Sequence, residues 1–181
     1  MNQPFDPMRF TNYEVDAVVS FAQQARLRSG RNNVIEIGVW AGGTSRELAR
    51  NGFKVYCVDH WLGNEHDALG PLAKEYGPAN AFRIFCQNMG EMLFRRVHPC
   101  FGESLMWAEA WPEHEKVAMV FIDASHEYED VKADIAAWKP HVASGGLLSG
   151  HDYSEDFPGV MKAADEHGID GLWGTIWYKW L

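Results

Sequence analysis

The chain has 181 residues, of which 46% are hydrophobic and 23% charged, and its formal net charge is −9. These values are typical of a globular domain, and the acidic balance argues against a nucleic-acid backbone or an anionic membrane surface as the main partner. The three scattered cysteines, Cys57, Cys86 and Cys100, exclude a disulfide framework and a zinc knuckle. Because the sequence contains no apolar signal segment or membrane span, we expect a cytoplasmic protein in a reducing compartment.

The first segment, residues 1–30, is predicted to be helical over Tyr13–Arg28. Val15, Val18 and Ala22 recur there at the spacing of one face of a helix. We expect this helix to pack on the edge of the sheet or to cover the pocket, and we assign it no chemistry.

The segment Val34–Ala49 reads VIEIGVWAGGTSRELA and predicts a strand, a tight glycine turn and a helix. The apolar run at its start is typical of a strand buried on both faces. Gly38, Gly42 and Gly43 allow the backbone to approach a ligand, and the N–H groups at the start of the helix favour a negative group. Turns of this kind hold nucleotide-like cofactors at the carboxyl ends of parallel strands.

A second strand is predicted over Lys54–Asp59. Asp59 follows the glycine turn by about 20 residues, a spacing suited to accepting hydrogen bonds from both ribose hydroxyls of a bound nucleoside. The alternative is a solvated carboxylate at the end of a strand. Residues 62–79 come next and are rich in glycine, proline and polar side chains, which predicts a loop or lid insertion.

The third strand and its turn follow a predicted helix over residues 80–92. The strand is weak and covers Val97–Phe101, and Gly102–Ser104 then turns into a helix over Leu105–Trp111. This turn would lie beside the base of the cofactor, so we expect Glu103 or Ser104 to contact that base. A helix cap formed by Ser104 is the alternative.

The second half of the chain continues to alternate strands with helices. Strands are predicted over Lys116–Asp123 and Gly145–Ser149, helices over Tyr128–Trp138 and Gly159–His167, and a final antiparallel pair over residues 172–173 and 175–181. Alternation of this kind predicts an α/β fold, a parallel sheet with helices on both faces.

Polar side chains follow the fourth and fifth strands where we expect the carboxyl ends to converge on one crevice. Asp123 and Asp152, with His151 as a third donor, are candidates to hold a divalent cation, because carboxylate oxygens suit magnesium and calcium. His126 would stand beside that cation and, with an ordinary pKa near 6.5, take a proton from an acceptor hydroxyl. Capping or loop carboxylates and a packed polar His151 are the alternatives.

The remaining histidines and one cysteine receive structural interpretations only. We expect His98, His114, His141 and His167 to be solvated surface groups. Cys57 lies inside a predicted strand, and we expect a buried thiol there.

A family resemblance rests on two stretches of the sequence. Glu36–Ser45 (EIGVWAGGTS) resembles the first motif of class I S-adenosylmethionine-dependent methyltransferases. Phe121–Tyr153 resembles one branch of them, which includes macrocin-type sugar O-methyltransferases and cephalosporin-hydroxylase-like proteins. The resemblance covers the chain from Val34 onward. It implies a single Rossmann-like domain over residues 1–181, with about seven strands, the last of them antiparallel.

The resemblance also implies roles for individual residues. In metal-dependent relatives a magnesium ion is held by the aspartate of the FID motif and by an acidic pair after the next strand, which Asp123 and Asp152 match. His151 stands where the pair usually has its first acid. His126 matches the proposed base and, with Asp123, forms the predicted catalytic set. The predicted binding residues for S-adenosylmethionine are Glu36, Gly38, Ala41, Gly42, Thr44, Ser45, Asp59, His60, Glu103 and Ser104.

The function predicted on this basis is methyl transfer to a hydroxyl of a sugar, a glycan or a small natural product. A cofactor-binding module without turnover remains an alternative. A metal-dependent hydroxylase or hydrolase is another, suggested by His126, His151 and Asp152. A nicotinamide dehydrogenase is disfavoured because Gly38 and Gly42 do not follow the G-x-G-x-x-G spacing. The sequence leaves the oligomeric state open, a homo-oligomer included.

Overall fold

The structure is a computed structural model that describes residues 12–62 and 81–181. The predicted loop or lid over residues 62–79 lies, apart from Leu62, outside the described residues. The same holds for residues 1–11.

The described elements agree closely with the predicted ones. The strands are β1 Asn33–Ile37, β2 Lys54–Asp59, β3 Val97–Phe101, β4 Val117–Ile122, β5 Val142–Gly150, β6 Gly171–Trp173 and β7 Ile176–Trp180. The helices are α1 Asn12–Ser29, α2 Gly43–Arg50, α3 (residues 81–89), α4 Ser104–Ala110, α5 Tyr128–Trp138 and α6 Pro158–His167. Two short 3-10 turns, Gly90–Met92 and Lys139–His141, follow α3 and α5.

The seven strands form one sheet in the order β3-β2-β1-β4-β5-β7-β6. β1 to β5 pair in parallel, and β7 runs antiparallel to both of its neighbours. This confirms the predicted Rossmann-like α/β fold with an antiparallel final strand. The strand order reverses between β1 and β4, and parallel sheets of this kind bind ligands at that point.

The strand registers align the carboxyl ends of the central strands. Ile37 pairs with Val58 on one side and with Ile122 on the other, and Ile122 is level with Gly150. The residues that follow these positions therefore emerge at one edge of the sheet.

The core consists of two apolar layers, one on each face of the sheet. The first contains side chains of α1, α2 and α3, such as Val18, Leu48 and Phe85. The second contains side chains of α4, α5 and α6, such as Val131 and Val160. Every residue of β4 is buried, as expected of a parallel strand covered on both faces. No helix in the described ranges is long and apolar enough to cross a membrane.

Helix α1 packs on one face of the sheet, over β4 and β5, and not at its edge. Of the two predicted placements, the sheet edge is therefore wrong. The other placement was a cover of the pocket, and Glu14 in the first turn of α1 does reach the carboxyl end of β5.

Three of the histidines predicted to be solvated are buried or half-buried. His98 stacks on Tyr56 with ring centroids 5.3 Å apart, and His141 packs edge-on against Trp138. Burial lowers the pKa of His98, His141 and His167. These predictions were wrong because tertiary packing covers positions that carry no apolar periodicity. His114 is exposed, as predicted.

Candidate functional site

A cavity of about 870 Å³ opens at the carboxyl ends of the central strands. This volume lies within the range that small-molecule and cofactor sites occupy. All the predicted site residues except Gly42 and Ser45 line the cavity: Glu36, Gly38, Ala41, Thr44, Asp59, His60, Glu103, Ser104, Asp123, His126, His151 and Asp152. The topology therefore brings together side chains that are far apart in the sequence.

Two glycines of the turn after β1 have different structural tasks. Gly38 has a φ of +79°, and a Cβ there would lie 2.1 Å from the Asp123 carbonyl oxygen. The absence of a side chain thus lets the tip of β1 press against the tip of β4. A Cβ on Gly42, whose φ is +80°, would meet Met89 Cε at 2.5 Å and Phe85 at 2.8 Å. The Cβ side of Gly42 therefore packs against α3, and Gly42 is not among the residues that line the cavity.

Glu36 and Ser45 form a buried pair beneath the turn. The Ser45 hydroxyl donates a hydrogen bond to Glu36 Oε2 and lies 3.0 Å from Cys57 Sγ. Ser45 thus faces away from the cavity and holds the Glu36 carboxyl, although the sequence predicted it to contact the cofactor. Burial raises the pKa of Glu36 to about 8, against the effect of the Ser45 hydrogen bond. Cys57 is fully buried, as the sequence predicted.

Asp59 ties the tip of β2 to the glycine turn. Its Oδ2 accepts hydrogen bonds from the backbone N–H groups of Val39 and Trp40 at 2.8 and 2.9 Å, and its Oδ1 accepts one from Trp61 at 2.6 Å. Each carboxylate oxygen has two lone pairs, so these three bonds fill Oδ2 and leave one acceptor lone pair, on Oδ1, for a ribose hydroxyl. The ribose contact of Asp59 stays a prediction.

Two tryptophans beside this carboxylate line the cavity without having been predicted as site residues. Trp40 and Trp61 adopt positive φ angles of 50° and 52°, which bulky residues seldom do. The Trp61 indole N–H donates to the Trp40 carbonyl at 2.9 Å. Trp40 donates its backbone N–H to Asp59 from 19 residues away, which no local pattern indicates, whereas the bond from Trp61 to Asp59 spans two residues.

Half-buried Ser104 and buried Asp134 form a second polar pair at the start of α4. The Ser104 hydroxyl accepts a hydrogen bond from the Trp138 indole N–H at 2.8 Å and is bonded to the Asp134 carboxyl. The predicted alternative, a helix cap formed by Ser104, is wrong. Glu103 occupies the N-cap position of α4, and its side chain forms no capping hydrogen bond. Burial raises the pKa of Asp134 to about 6. Asp134 was not predicted as a site residue. The sequence signal that could have indicated it is its position three residues after Val131, on the buried face of α5.

The groups predicted to be catalytic and metal-binding meet beyond β4 and β5. Asp152 Oδ2 lies 2.9 Å from His126 Nε2, and Asp152 Oδ1 lies 3.0 Å from His151 Nδ1. The same His151 nitrogen is 3.7 Å from Asp123 Oδ1. Asp152 has a φ of +60°, an unusual conformation for an aspartate that its two imidazole partners help to hold. Burial acts to raise the pKa of Asp152, but hydrogen bonds from His126 and His151 hold it well below its ordinary value.

The other nitrogen of His151 faces two residues that sequence reasoning missed. His151 Nε2 lies 2.9 Å from Thr175 Oγ1 and 3.4 Å from Glu14 Oε1, and the Thr175 hydroxyl donates to Glu14 at 3.2 Å. Burial lowers the pKa of His151, but the Asp152 hydrogen bond and the charges of Asp123 and Asp152 outweigh it and raise the pKa to about 9. Helix α1, to which no chemistry was assigned, thus supplies Glu14 to the site.

Known proteins resemble this chain in sequence and in fold. Residues 35–153 match the family model described as "Methyltransferase domain". A curated relative, "Uncharacterized protein y4gI" from Sinorhizobium fredii (strain NBRC 101917 / NGR234), is 29% identical over 119 residues, which are 65% of this chain. The chain spans 11% of the length of that relative.

Solved structures of methyltransferases share the fold. The O-methyltransferase NovP superposes with a TM-score of 0.67 at 17% identity, over 92% of this chain and 78% of that one. CalS11, a TDP-rhamnose 3′-O-methyltransferase of calicheamicin biosynthesis, superposes with a TM-score of 0.61 at 15% identity, over 98% and 87%. At such identities the likeness shows a common architecture.

Proposed function

We propose that this chain, which belongs to the family described as "Methyltransferase domain", is a class I S-adenosylmethionine-dependent enzyme that methylates a hydroxyl oxygen of a sugar, glycan or small natural product. The observation that carries the proposal is the contact between His126 and Asp152, in the same cavity as the glycine turn. Such a pair supplies an oriented base beside a nucleoside site.

The cavity fits S-adenosylmethionine in the chemistry of its lining. Asp59 keeps one acceptor lone pair for a ribose hydroxyl, and Glu36 lines the cavity with a carboxyl group that a cationic amino group can meet. Glu103 and Ser104 line the far side, where we propose that the base lies. The remaining proposed cofactor contacts are the turn residues Gly38, Ala41 and Thr44, with His60 after β2.

His126 is the proposed general base. When bound, S-adenosylmethionine supplies a methyl group that leaves its sulfonium sulfur as the acceptor oxygen attacks. A His126 tautomer that donates Nε2–H to Asp152 has its acceptor lone pair on Nδ1, which takes the hydroxyl proton. Asp152 then stabilises the imidazolium, as the carboxylate does in a catalytic triad. Asp123 is proposed to orient the acceptor hydroxyl, and alignment of the reactants supplies much of the rate gain.

The sequence also predicted that a divalent cation assists the reaction. Asp123, His151 and Asp152 offer donor atoms within 4.8 Å of one another. Magnesium requires oxygen donors at about 2.0–2.1 Å in octahedral geometry. In this cluster a ring nitrogen lies 3.0 Å from Asp152 Oδ1, at hydrogen-bonding distance. The donor set does not fit magnesium, and we derive no step through a cation.

The experiment that tests the function is calorimetry with S-adenosylmethionine and S-adenosylhomocysteine, followed by assays of sugar and phenol acceptors for a methylated product. We expect saturable binding of both nucleosides and a product with at least one acceptor. No affinity for either nucleoside would refute the proposal. Binding without product across the panel would favour the alternative of a module without turnover.

We also propose that the chain acts as a single domain in the cytoplasm on a small-molecule or glycan acceptor. The free thiols Cys57, Cys86 and Cys100 support a reducing compartment. Fractionation of the source cells, with a periplasmic and a cytosolic marker, checks the location.

A further inference from the structure

Three carboxylates surround the imidazole of His151. Asp152 Oδ1 lies 3.0 Å and Asp123 Oδ1 3.7 Å from Nδ1, while Glu14 Oε1 lies 3.4 Å from Nε2. The side chains are largely withdrawn from solvent, with exposed fractions of 13% for His151, 15% for Asp123 and 22% for both Glu14 and Asp152. One of these acids lies in α1 and the other two follow the ends of β4 and β5, so the fold gathers them around the ring.

Negative charges at this spacing need a positive partner between them. Carboxylates that share a site repel one another unless one takes up a proton or a cation compensates them. A protonated histidine has a donor on each ring nitrogen. In this cluster each nitrogen of His151 faces acidic acceptors, which is the hydrogen-bonding pattern of an imidazolium. Thr175 completes this pattern, because its hydroxyl oxygen accepts a hydrogen bond from His151 Nε2–H and its O–H group donates one to Glu14.

We propose that His151 takes the place of a divalent cation, its two ring N–H groups holding Asp123, Asp152 and Glu14 together so that the site works without bound metal. The inference rests on the proposed function only for its link to turnover. It differs from the sequence-based expectation, in which His151 was a third metal ligand beside Asp123 and Asp152.

The contact between His151 and Asp152 also explains how His126, the proposed base, is held in place. Asp152 gives one oxygen to His151 and the other to His126, so fixing the first bond fixes the plane of the carboxylate. His151 is therefore a positioning residue that acts on His126 through Asp152. Phe157 packs against the His126 ring, with centroids 4.0 Å apart, and limits its rotation.

The test replaces His151 with the acidic residue that metal-dependent relatives usually have at this position. His151→Asp restores a third oxygen donor beside Asp123 and Asp152, so we expect it to gain Mg²⁺ binding in calorimetry. Saturating Mg²⁺ is expected to raise its Tm by about 4 °C. The wild-type protein is expected to show no Mg²⁺ or Mn²⁺ isotherm and no shift. His114→Asp, which makes the same change at an exposed position, is the matched control and is expected to gain nothing.

Two results would overturn the proposal. One is a saturable Mg²⁺, Mn²⁺, Zn²⁺ or Fe²⁺ isotherm for the wild-type protein that Asp123→Asn removes. The other is a folded His151→Asp variant that gains no Mg²⁺ binding. The wild-type titrations decide the question even if His151→Asp fails to fold. Binding of S-adenosylhomocysteine, measured on the same samples, reports separately on the proposed function.

Discussion

The two ends of the cavity use acidic side chains in different ways. At the β1–β2 end, Asp59 accepts backbone N–H groups and Glu36 is bonded to a core serine. At the β4–β5 end, Asp123 and Asp152 face imidazole nitrogens. The first arrangement fixes the shape of the backbone, whereas the second fixes the relative position of side chains. Substitutions at the first end should therefore change stability and cofactor affinity, and substitutions at the second should change turnover.

The sharpest test of this division is His126→Ala. Loss of a general base typically lowers the rate about 10²–10⁴-fold, and we expect a fall of that order in kcat. Affinity for S-adenosylhomocysteine should stay at the wild-type value, because His126 is not among the proposed cofactor contacts. Full turnover, or a parallel loss of nucleoside affinity, would break the division. His114→Ala serves as the exposed control in both measurements.

Glu36, at the β1–β2 end of the cavity, makes the stability of the protein depend on pH. Its pKa is about 8 in the folded protein and 4.5 ordinarily. The folded chain thus keeps a proton between these values that the unfolded chain releases, and the free energy of unfolding falls as pH rises through that window. The fall is on the order of 4 kcal/mol at most. Urea denaturation from about pH 5 to 8 should show it in the wild type and not in Glu36→Gln.

A matched variant makes the measurement at Glu36 specific. Glu113 is exposed, so Glu113→Gln should follow the wild-type pH profile. If Glu36→Gln follows that profile too, the proton belongs to another group and the assignment fails.

Asp59→Asn should lower both the stability of the fold and the affinity for the cofactor. The amide retains one oxygen acceptor and loses the charge that strengthens three backbone hydrogen bonds. Bonds to charged groups contribute about 1.5–3 kcal/mol each, and we expect a destabilisation of about 2 kcal/mol together with weaker binding of S-adenosylhomocysteine. Thermal melting and calorimetry measure the two effects. An unchanged Tm would show that the glycine turn keeps its shape without this carboxylate.

Thr175→Val should have the smallest effect. The substitution removes the hydroxyl between His151 and Glu14 and keeps the shape of the side chain. A neutral hydrogen bond contributes about 1 kcal/mol, so we expect a loss of about fivefold in kcat with a nearly unchanged Tm. A shift in the pH–rate profile would accompany it if His151 positions the base. A loss as large as that of His126→Ala would contradict the expectation that Thr175 acts only through His151.

The fold was predictable because local patterns and tertiary structure agree. Short apolar runs such as Val117–Ile122 are buried on both faces, and helical periodicity marks their partners. The cluster of Asp123, His126, His151 and Asp152 was predictable for a related reason, since parallel strands end at one edge of the sheet. None of this required knowledge of side-chain orientation.

The unpredicted features depend on orientation and on distant contacts. Ser45 and Gly42 were predicted as cofactor contacts, but the Ser45 hydroxyl is bonded to buried Glu36 and the Cβ side of Gly42 packs against α3. Glu14 is 137 residues from His151, and no local pattern connects the first helix with the end of β5. His141 is buried because Trp138 packs over it, which the sequence around it does not indicate.

The position of Glu14 and Thr175 along the chain affects how this protein should be trimmed. The family match runs from residue 35 to residue 153, so a deletion variant cut to those limits would lose both partners of His151 Nε2. Such a fragment would also lack α1 and β7, and its histidine would face two acids on one side only. Work on a minimal version should keep residues 12–181, and surveys of related sequences should align both flanks before comparing their clusters.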